Sequence, residues 1–201
     1  SLAHLNEMGL TGHNYFHAYH CGCNECHHSL TGYLFKAQQD CTADGEFITR
    51  ILHYGSPDMD RAINGLSRAL LLGGADTTGD VGNHVHVDQR GLDRAGKIRL
   101  ARLFARYERE LEDIAKAKRD RMREYNGHGD TFSDAIWTLA PDTVTGNLRM
   151  YDYMRGSKIS WKNPTVEFRL WNSTAAAWRI RTHVGLSAAM VLAAQGGVTC
   201  T

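Results

Sequence analysis

The chain has no long apolar run and no excess of charge of either sign. Its 201 residues carry 23 basic and 22 acidic side chains, which gives a formal net charge of +1 at pH 7. No apolar segment approaches the roughly 20 residues that span a bilayer, so we expect neither a membrane segment nor a secretion signal. Because the charges balance, the composition gives no electrostatic basis for binding nucleic acid or an anionic membrane.

Common motifs of nucleotide-binding and hydrolytic enzymes are also missing. The sequence has no GxxxxGK[ST] phosphate loop, no GxGxxG turn and no Ser-His-Asp arrangement at a strand–helix elbow. It also has no internal repeat, coiled-coil heptad or low-complexity segment. If the chain uses ATP, we expect it to hold the phosphates with a sheet and metal ions.

The order of the predicted elements is that of an α+β protein. A length of 201 residues with 42% apolar content favours one domain over residues 1–201. Ser56 and Pro57 are a typical N-cap and first residue of a helix. The periodicity predicts strands over 33–37, 46–54, 82–88, 158–161 and 165–171, and helices over 57–72, 93–125 and 175–195.

Histidine and cysteine are concentrated near the start of the chain. Five cysteines cannot all form internal disulfides, and in a chain without a secretion signal they are more typical of metal sites or reduced thiols. Thiolate and imidazole are the usual ligands of structural zinc. One interpretation is a zinc site, and the other is a loop with incidental cysteines. The candidate ligands are Cys21, Cys23, Cys26 and His28, with Cys41, His13, His17, His20 or His27 as alternatives.

Two predicted strands carry chemically reactive side chains on one face. Successive strand residues point to opposite faces, so His84, His86 and Asp88 share a face, while Val85 and Val87 share the other. In the second strand the same rule groups Glu167, Arg169 and Trp171 opposite Val166, Phe168 and Leu170.

Two imidazoles and two carboxylates are mixed nitrogen and oxygen ligands, which suit manganese or zinc and are acceptable to magnesium. The planar guanidinium of Arg169 suits a phosphate or a carboxylate. The alternatives are a salt bridge between Arg169 and a neighbouring acid, and an amphipathic strand whose polar face is simply solvated.

The chain carries two longer motifs, Gly-x-His-Val-His-Val-Asp and Thr-Val-Glu-Phe-Arg-Leu-x-Asn-x-Thr, with a long helix between them that ends in basic residues. This arrangement resembles the amidoligase family of carboxylate–amine ligases. The likeness runs from about Leu2 to Gln195. It implies a fold like that of glutamine synthetase, with an antiparallel or mixed sheet, packed helices and one long central helix. The family's first strand, Gly-Val-Glu-x-Glu, does not precede Leu2, so we expect it to be missing, and the Cys/His segment at 13–41 to be an insertion.

The resemblance also implies roles for individual residues. Glu46, His84 or His86, and Glu167 would hold Mg²⁺ or Mn²⁺ ions that bridge ATP phosphates. Asp88 would be a candidate base for the incoming amine. The carboxylate substrate would become an acyl phosphate, which the amine would attack to give an amide. Phosphate charge would be neutralised by Arg169 together with Lys118, Arg119 or Arg121.

Three hypotheses of function follow. The first is an ATP-dependent ligase of a small-molecule or peptide acid and amine, located in the cytoplasm or in a virion. The second is an inactive structural or assembly protein with this fold, stabilised by zinc. The third is a metal-dependent hydrolase that uses His84, His86 and Asp88. A homo-oligomer is compatible with each.

Overall fold

The computed structural model describes residues 2–11, 33–39, 45–75, 82–115, 159–162 and 164–197. The chain divides into two compact units, one made of residues 1–81 and 173–181 and the other of 82–172 and 182–201. The described residues form five helices and two small antiparallel sheets, which confirms an α+β protein. The elements are α1 Leu2–Glu7, β1 Phe35–Gln38, β2 Glu46–Thr49, α2 Pro57–Leu72, β3 Gly82–Asp88, α3 Arg94–Arg106, α4 Glu108–Ala115, β4 Ile159–Lys162, β5 Thr165–Asn172 and α5 Ala177–Gln195.

The first unit combines a hairpin with helices. β1 and β2 pair antiparallel, from Phe35 opposite Thr49 to Gln38 opposite Glu46. Helix α1 ends at Glu7, and the turn after it contains Gly9, whose φ of 64° is accessible to glycine without strain. One buried apolar cluster joins α1, the segment after it, the residue before β1, β1 itself and α2. Its members are Leu5, Leu10, Leu34, Phe35, Ala62 and Ala69.

Helix α2 begins and ends as its sequence predicts. The Ser56 hydroxyl accepts a hydrogen bond from the Met59 amide at 3.2 Å, and Pro57 occupies the first turn. The helix ends at Gly73, and Gly74 follows with a φ of 61°. The close approach of Leu10 explains Gly65, because a Cβ there would meet the Leu10 side chain at 2.0 Å.

The second unit contains a three-stranded antiparallel sheet in the order β3-β5-β4. The valines of β3 and the apolar residues of β5 face a core that α3, α4 and the later part of α5 complete. Phe104 and Phe168, both fully buried, meet with ring centroids 6.4 Å apart. These helices cover one face of the sheet, and the polar residues of β3 and β5 lie on the opposite face.

Two predicted elements differ from the observed ones. The strand predicted over 46–54 ends at Thr49, and Ile51 is 95% exposed, so its apolar side chain does not mark a buried strand residue. The helix predicted over 93–125 is interrupted at Tyr107, whose φ of −108° departs from helical values. The amide of Tyr107 is shared between the carbonyls of Leu103 and Phe104. Residues 116–125 lie outside the described residues.

Candidate functional site

The polar face of the β3–β5 pair is the candidate site. Antiparallel pairing sets His86 opposite Glu167 and Asp88 opposite Thr165. His84, His86 and Asp88 are exposed, whereas Val85 and Val87 are partly buried and pack against the core. The two faces predicted for β3 are therefore confirmed.

Glu167 lies at the centre of this face, on the middle strand of the sheet. It is only 3% exposed, and three cationic or hydrogen-bonding groups approach its Oε1 atom. The distances are 3.1 Å to Nη1 of Arg169, 3.2 Å to Nδ1 of His84 and 3.6 Å to Nε2 of His86. The structure thus brings together four of the residues that the sequence assigns to the site.

The environment of Glu167 favours its ionised form. Burial acts to raise the pKa of this carboxyl, but hydrogen bonds from His84 and His86 and the charges of Arg169 and His84 outweigh it. The pKa of Glu167 is therefore held well below its usual range, so the carboxylate remains a buried anion at neutral pH.

The ring of His86 has a second partner, which the sequence analysis missed. Its Nδ1 atom lies 3.0 Å from the hydroxyl of Thr165. Thr165 is two residues before Glu167 on the same strand, so the strict alternation of β5 was a signal that could have placed it on the polar face.

A β-bulge separates Arg169 from Trp171. Between the pairs Asn83–Trp171 and Val85–Phe168, β5 has one residue more than β3. Since a one-residue shift moves the following side chains to the opposite face, Trp171 joins the core instead of the polar face. It is 1% exposed, stacks on His183 and donates a hydrogen bond to Ser187. The prediction that Trp171 shares a face with Glu167 is wrong.

Asp88 is engaged by Arg90 at the exposed end of β3. The Nε atom of Arg90 lies 3.0 Å from both carboxylate oxygens, and its backbone amide donates to Oδ1 at 2.9 Å. These hydrogen bonds lower the pKa of Asp88 to about 2. A carboxylate with so low a pKa is a weak proton acceptor near neutral pH. No periodic pattern could have predicted Arg90, because it follows the strand.

The remaining candidates are distributed elsewhere in the chain. Glu46 begins β2 in the first unit and accepts a hydrogen bond from Gln38 at 2.8 Å. The basic candidates and the proposed zinc ligands lie outside the described residues, and they are Lys118, Arg119, Arg121, Cys21, Cys23, Cys26 and His28.

The side chains around Glu167 supply oxygen and nitrogen donors of the kind that bind metals, but they are not positioned around one common point. Within the described ranges, no three His, Cys, Asp or Glu side chains are set as ligands of one ion. Two ligands that each lie about 2.1 Å from an ion are separated by about 3.0 to 3.5 Å. The distances from Glu167 to His84 and His86, 3.2 and 3.6 Å, are close to this range. A bound ion would take the place of these direct contacts.

Comparisons with protein-family models, with curated proteins and with solved structures found no match. In the portion of the chain that is described, none of the helices combines the length and the apolar character needed to cross a membrane.

Proposed function

We propose that the chain is an ATP-dependent carboxylate–amine ligase with a glutamine synthetase-type fold that works with Mg²⁺ or Mn²⁺. The observation that carries the proposal is the antiparallel pairing of β3 and β5, which sets His84, His86, Glu167 and Arg169 on one face of a sheet. The resemblance of these two strands to the amidoligase motifs supports the same function.

The proposed metal ligands are Glu167 with His84 or His86. A bound divalent ion would neutralise charge on the ATP phosphates during transfer of the γ-phosphoryl group. Glu167 suits the role because it is already ionised, and a carboxylate must be ionised to bind a metal. The two histidines add nitrogen donors, which favour Mn²⁺ relative to Mg²⁺.

Arg169 is the proposed phosphate ligand. Within the described part of the chain, the guanidinium atom that bonds Glu167 is Nη1, and the side chain is 22% exposed. The other guanidinium donors can therefore bind an oxyanion, as the planar group does bidentately elsewhere. Lys118, Arg119 and Arg121 would add positive charge.

Attack of the amine on the acyl phosphate would then form the amide and release phosphate.

The role of general base does not suit Asp88 in its observed state. Arg90 holds its carboxylate with a pKa of about 2, so it would retain little of the affinity for a proton that deprotonation of an amine requires. We therefore propose an ion pair, not proton transfer, as the role of Asp88, and leave the base unassigned.

The test is binding of Mg-ATP, measured by calorimetry. The proposal predicts an affinity between micromolar and millimolar, or about −8 to −4 kcal/mol, that Arg169→Ala and His86→Ala reduce at least tenfold. The matched controls are Arg106→Ala at the end of α3 and His53→Ala in the loop after β2, both at exposed positions, which should bind as the wild type does. Equal binding by all four variants would refute this site.

A second measurement separates the ligase from a hydrolase. The ligase should release phosphate from ATP only when a carboxylate and an amine are both present. Hydrolysis of an ester, amide or phosphoester without ATP would favour the metal-dependent hydrolase that uses His84, His86 and Asp88.

A further inference from the structure

We propose that Thr165 is a positioning residue that holds the imidazole of His86 with Nε2 directed at Glu167. This inference deepens the proposed function and rests on it for the metal, but the orientation of the ring can be tested without any metal. His86 is almost half exposed, so packing alone does not fix its ring, and a directed contact has to do so.

The contact is provided by the Thr165 hydroxyl, 3.0 Å from Nδ1 of His86. Thr165 is paired with Asp88, two residue pairs along the ladder from His86–Glu167, and is therefore on the same face. The hydroxyl and the carboxylate therefore contact opposite nitrogens of one ring. With Nδ1 engaged by Thr165, Nε2 is directed towards Oε1 of Glu167, 3.6 Å away.

The backbone that carries this hydroxyl is held by Gln89. The backbone carbonyl of Thr165 accepts a hydrogen bond from the side-chain amide of Gln89 at 2.8 Å, and the carbonyl of Pro164 accepts one from the Gln89 backbone amide at 3.0 Å. Gln89 is only 6% exposed, which protects both bonds from water. A branched Cβ also restricts χ1 of threonine, so few orientations of the hydroxyl remain.

A hydroxyl is suited to both states of the site because it can donate and accept. Without a metal, Thr165 can donate to Nδ1 while Nε2–H faces the carboxylate. When Nε2 gives its lone pair to an ion, Nδ1 carries the proton and donates to the Thr165 oxygen. Partners of this kind fix the tautomer of a metal-binding histidine, and their loss typically costs 10- to 100-fold in metal affinity.

The experiment compares Thr165→Val, which keeps the branched shape but lacks the hydroxyl, with Thr165→Ser, which keeps the hydroxyl. The first readout is the ¹⁵N chemical shift of His86 Nδ1 in metal-free protein, at a pH well above the ordinary imidazole pKa of about 6.5. We expect the signal to move in the valine variant and to return in the serine variant. The Nδ1 signal of His84, which contacts Glu167 and not Thr165, is the internal control.

The second readout is the affinity for Mn²⁺ alone. We expect Thr165→Val to bind about tenfold more weakly, Thr165→Ser to bind within about threefold of wild type, and the control Thr49→Val on β2 to be unchanged. An unmoved His86 signal, or equal Mn²⁺ affinity of wild type and Thr165→Val, would overturn the proposal. If the wild type binds no Mn²⁺, the proposed function fails, and the His86 signal alone decides whether Thr165 positions the ring.

Discussion

The side chains that contact a carboxylate determine whether it can also bind a metal. Glu167 and Asp88, on the same face of the sheet, differ in this respect. Glu167 is buried and receives contacts from His84, His86 and Arg169, whereas Asp88 is exposed and bound by Arg90. Both pKa values are lowered, but only Glu167 combines its negative charge with nitrogen donors that can also bind a metal. The sequence predicted the face of both acids because alternation determines it. It also offered, as an alternative, the salt bridge between Arg169 and a neighbouring acid, which the structure shows at Glu167. It did not predict the pairing of Asp88 with Arg90, which depends on side-chain conformation.

The acidity of Asp88 should depend on one side chain. In wild type, the carboxyl carbon signal of Asp88 should titrate with a midpoint of about 2. Arg90→Ala should move this midpoint towards the ordinary value of about 3.9, with the remaining difference due to the backbone amide of residue 90. The exposed control Arg106→Ala should leave it unchanged.

The midpoint of Asp88 also determines how the Asp88–Arg90 ion pair changes the stability of the fold with pH. Because the folded pKa is below the unfolded one, the ion pair stabilises the fold at every pH above about 3.9. That contribution is lost as the pH falls through about 2. A midpoint that stays near 2 in Arg90→Ala would show that another group lowers the pKa.

At the scale of the element, patterns that repeat along the backbone were predicted well, and local interruptions were not. The valine face of β3 and the limits of α2 follow from alternation and from the Ser56-Pro57 start. The bulge in β5 leaves no mark in the sequence, since Leu170 and Trp171 are both apolar and either could have continued the pattern. The interruption of the helix at Tyr107 likewise could not be predicted, because no proline or glycine is present there.

The N-cap of α2 provides the prediction at this scale. Ser56→Ala removes the hydroxyl that accepts from the Met59 amide, so one amide of the first turn loses its partner. We expect the free energy of unfolding to fall by about 1 kcal/mol, measured by urea denaturation. Ser56→Asp should retain most of the stability because aspartate also caps helices. Equal stability of the alanine variant and wild type would mean that water replaces the cap without cost.

At the scale of the whole molecule, the order of the predicted elements indicated an α+β protein, which is confirmed. It could not predict the division into two compact units, because the first unit takes in residues 173–181 from far along the chain. Which distant segments join depends on tertiary packing. The expectation of one domain over 1–201 remains a prediction, as does the zinc site near the start of the chain.

The buried anion Glu167 should make the stability of the whole molecule depend on acid. Its charge is offset by Arg169 and two histidines, so Glu167→Gln, which removes the charge but keeps the shape, should destabilise metal-free protein by about 2 kcal/mol at pH 7. Since the folded pKa is lowered, this advantage of wild type is complete above the ordinary glutamate pKa of about 4.3 and shrinks as the pH falls below it.

Urea denaturation of both proteins between pH 7 and pH 3, in the presence of a chelator, would measure this difference, followed by the fluorescence of the buried Trp161 and Trp171. The exposed control Glu110→Gln in α4 should match wild type throughout. If the difference between wild type and Glu167→Gln were the same at pH 3 as at pH 7, Glu167 would not be a low-pKa anion. The feature that makes it a candidate metal ligand would then be absent. A difference that narrows in acid would show that the fold holds a carboxylate ionised where burial alone would neutralise it.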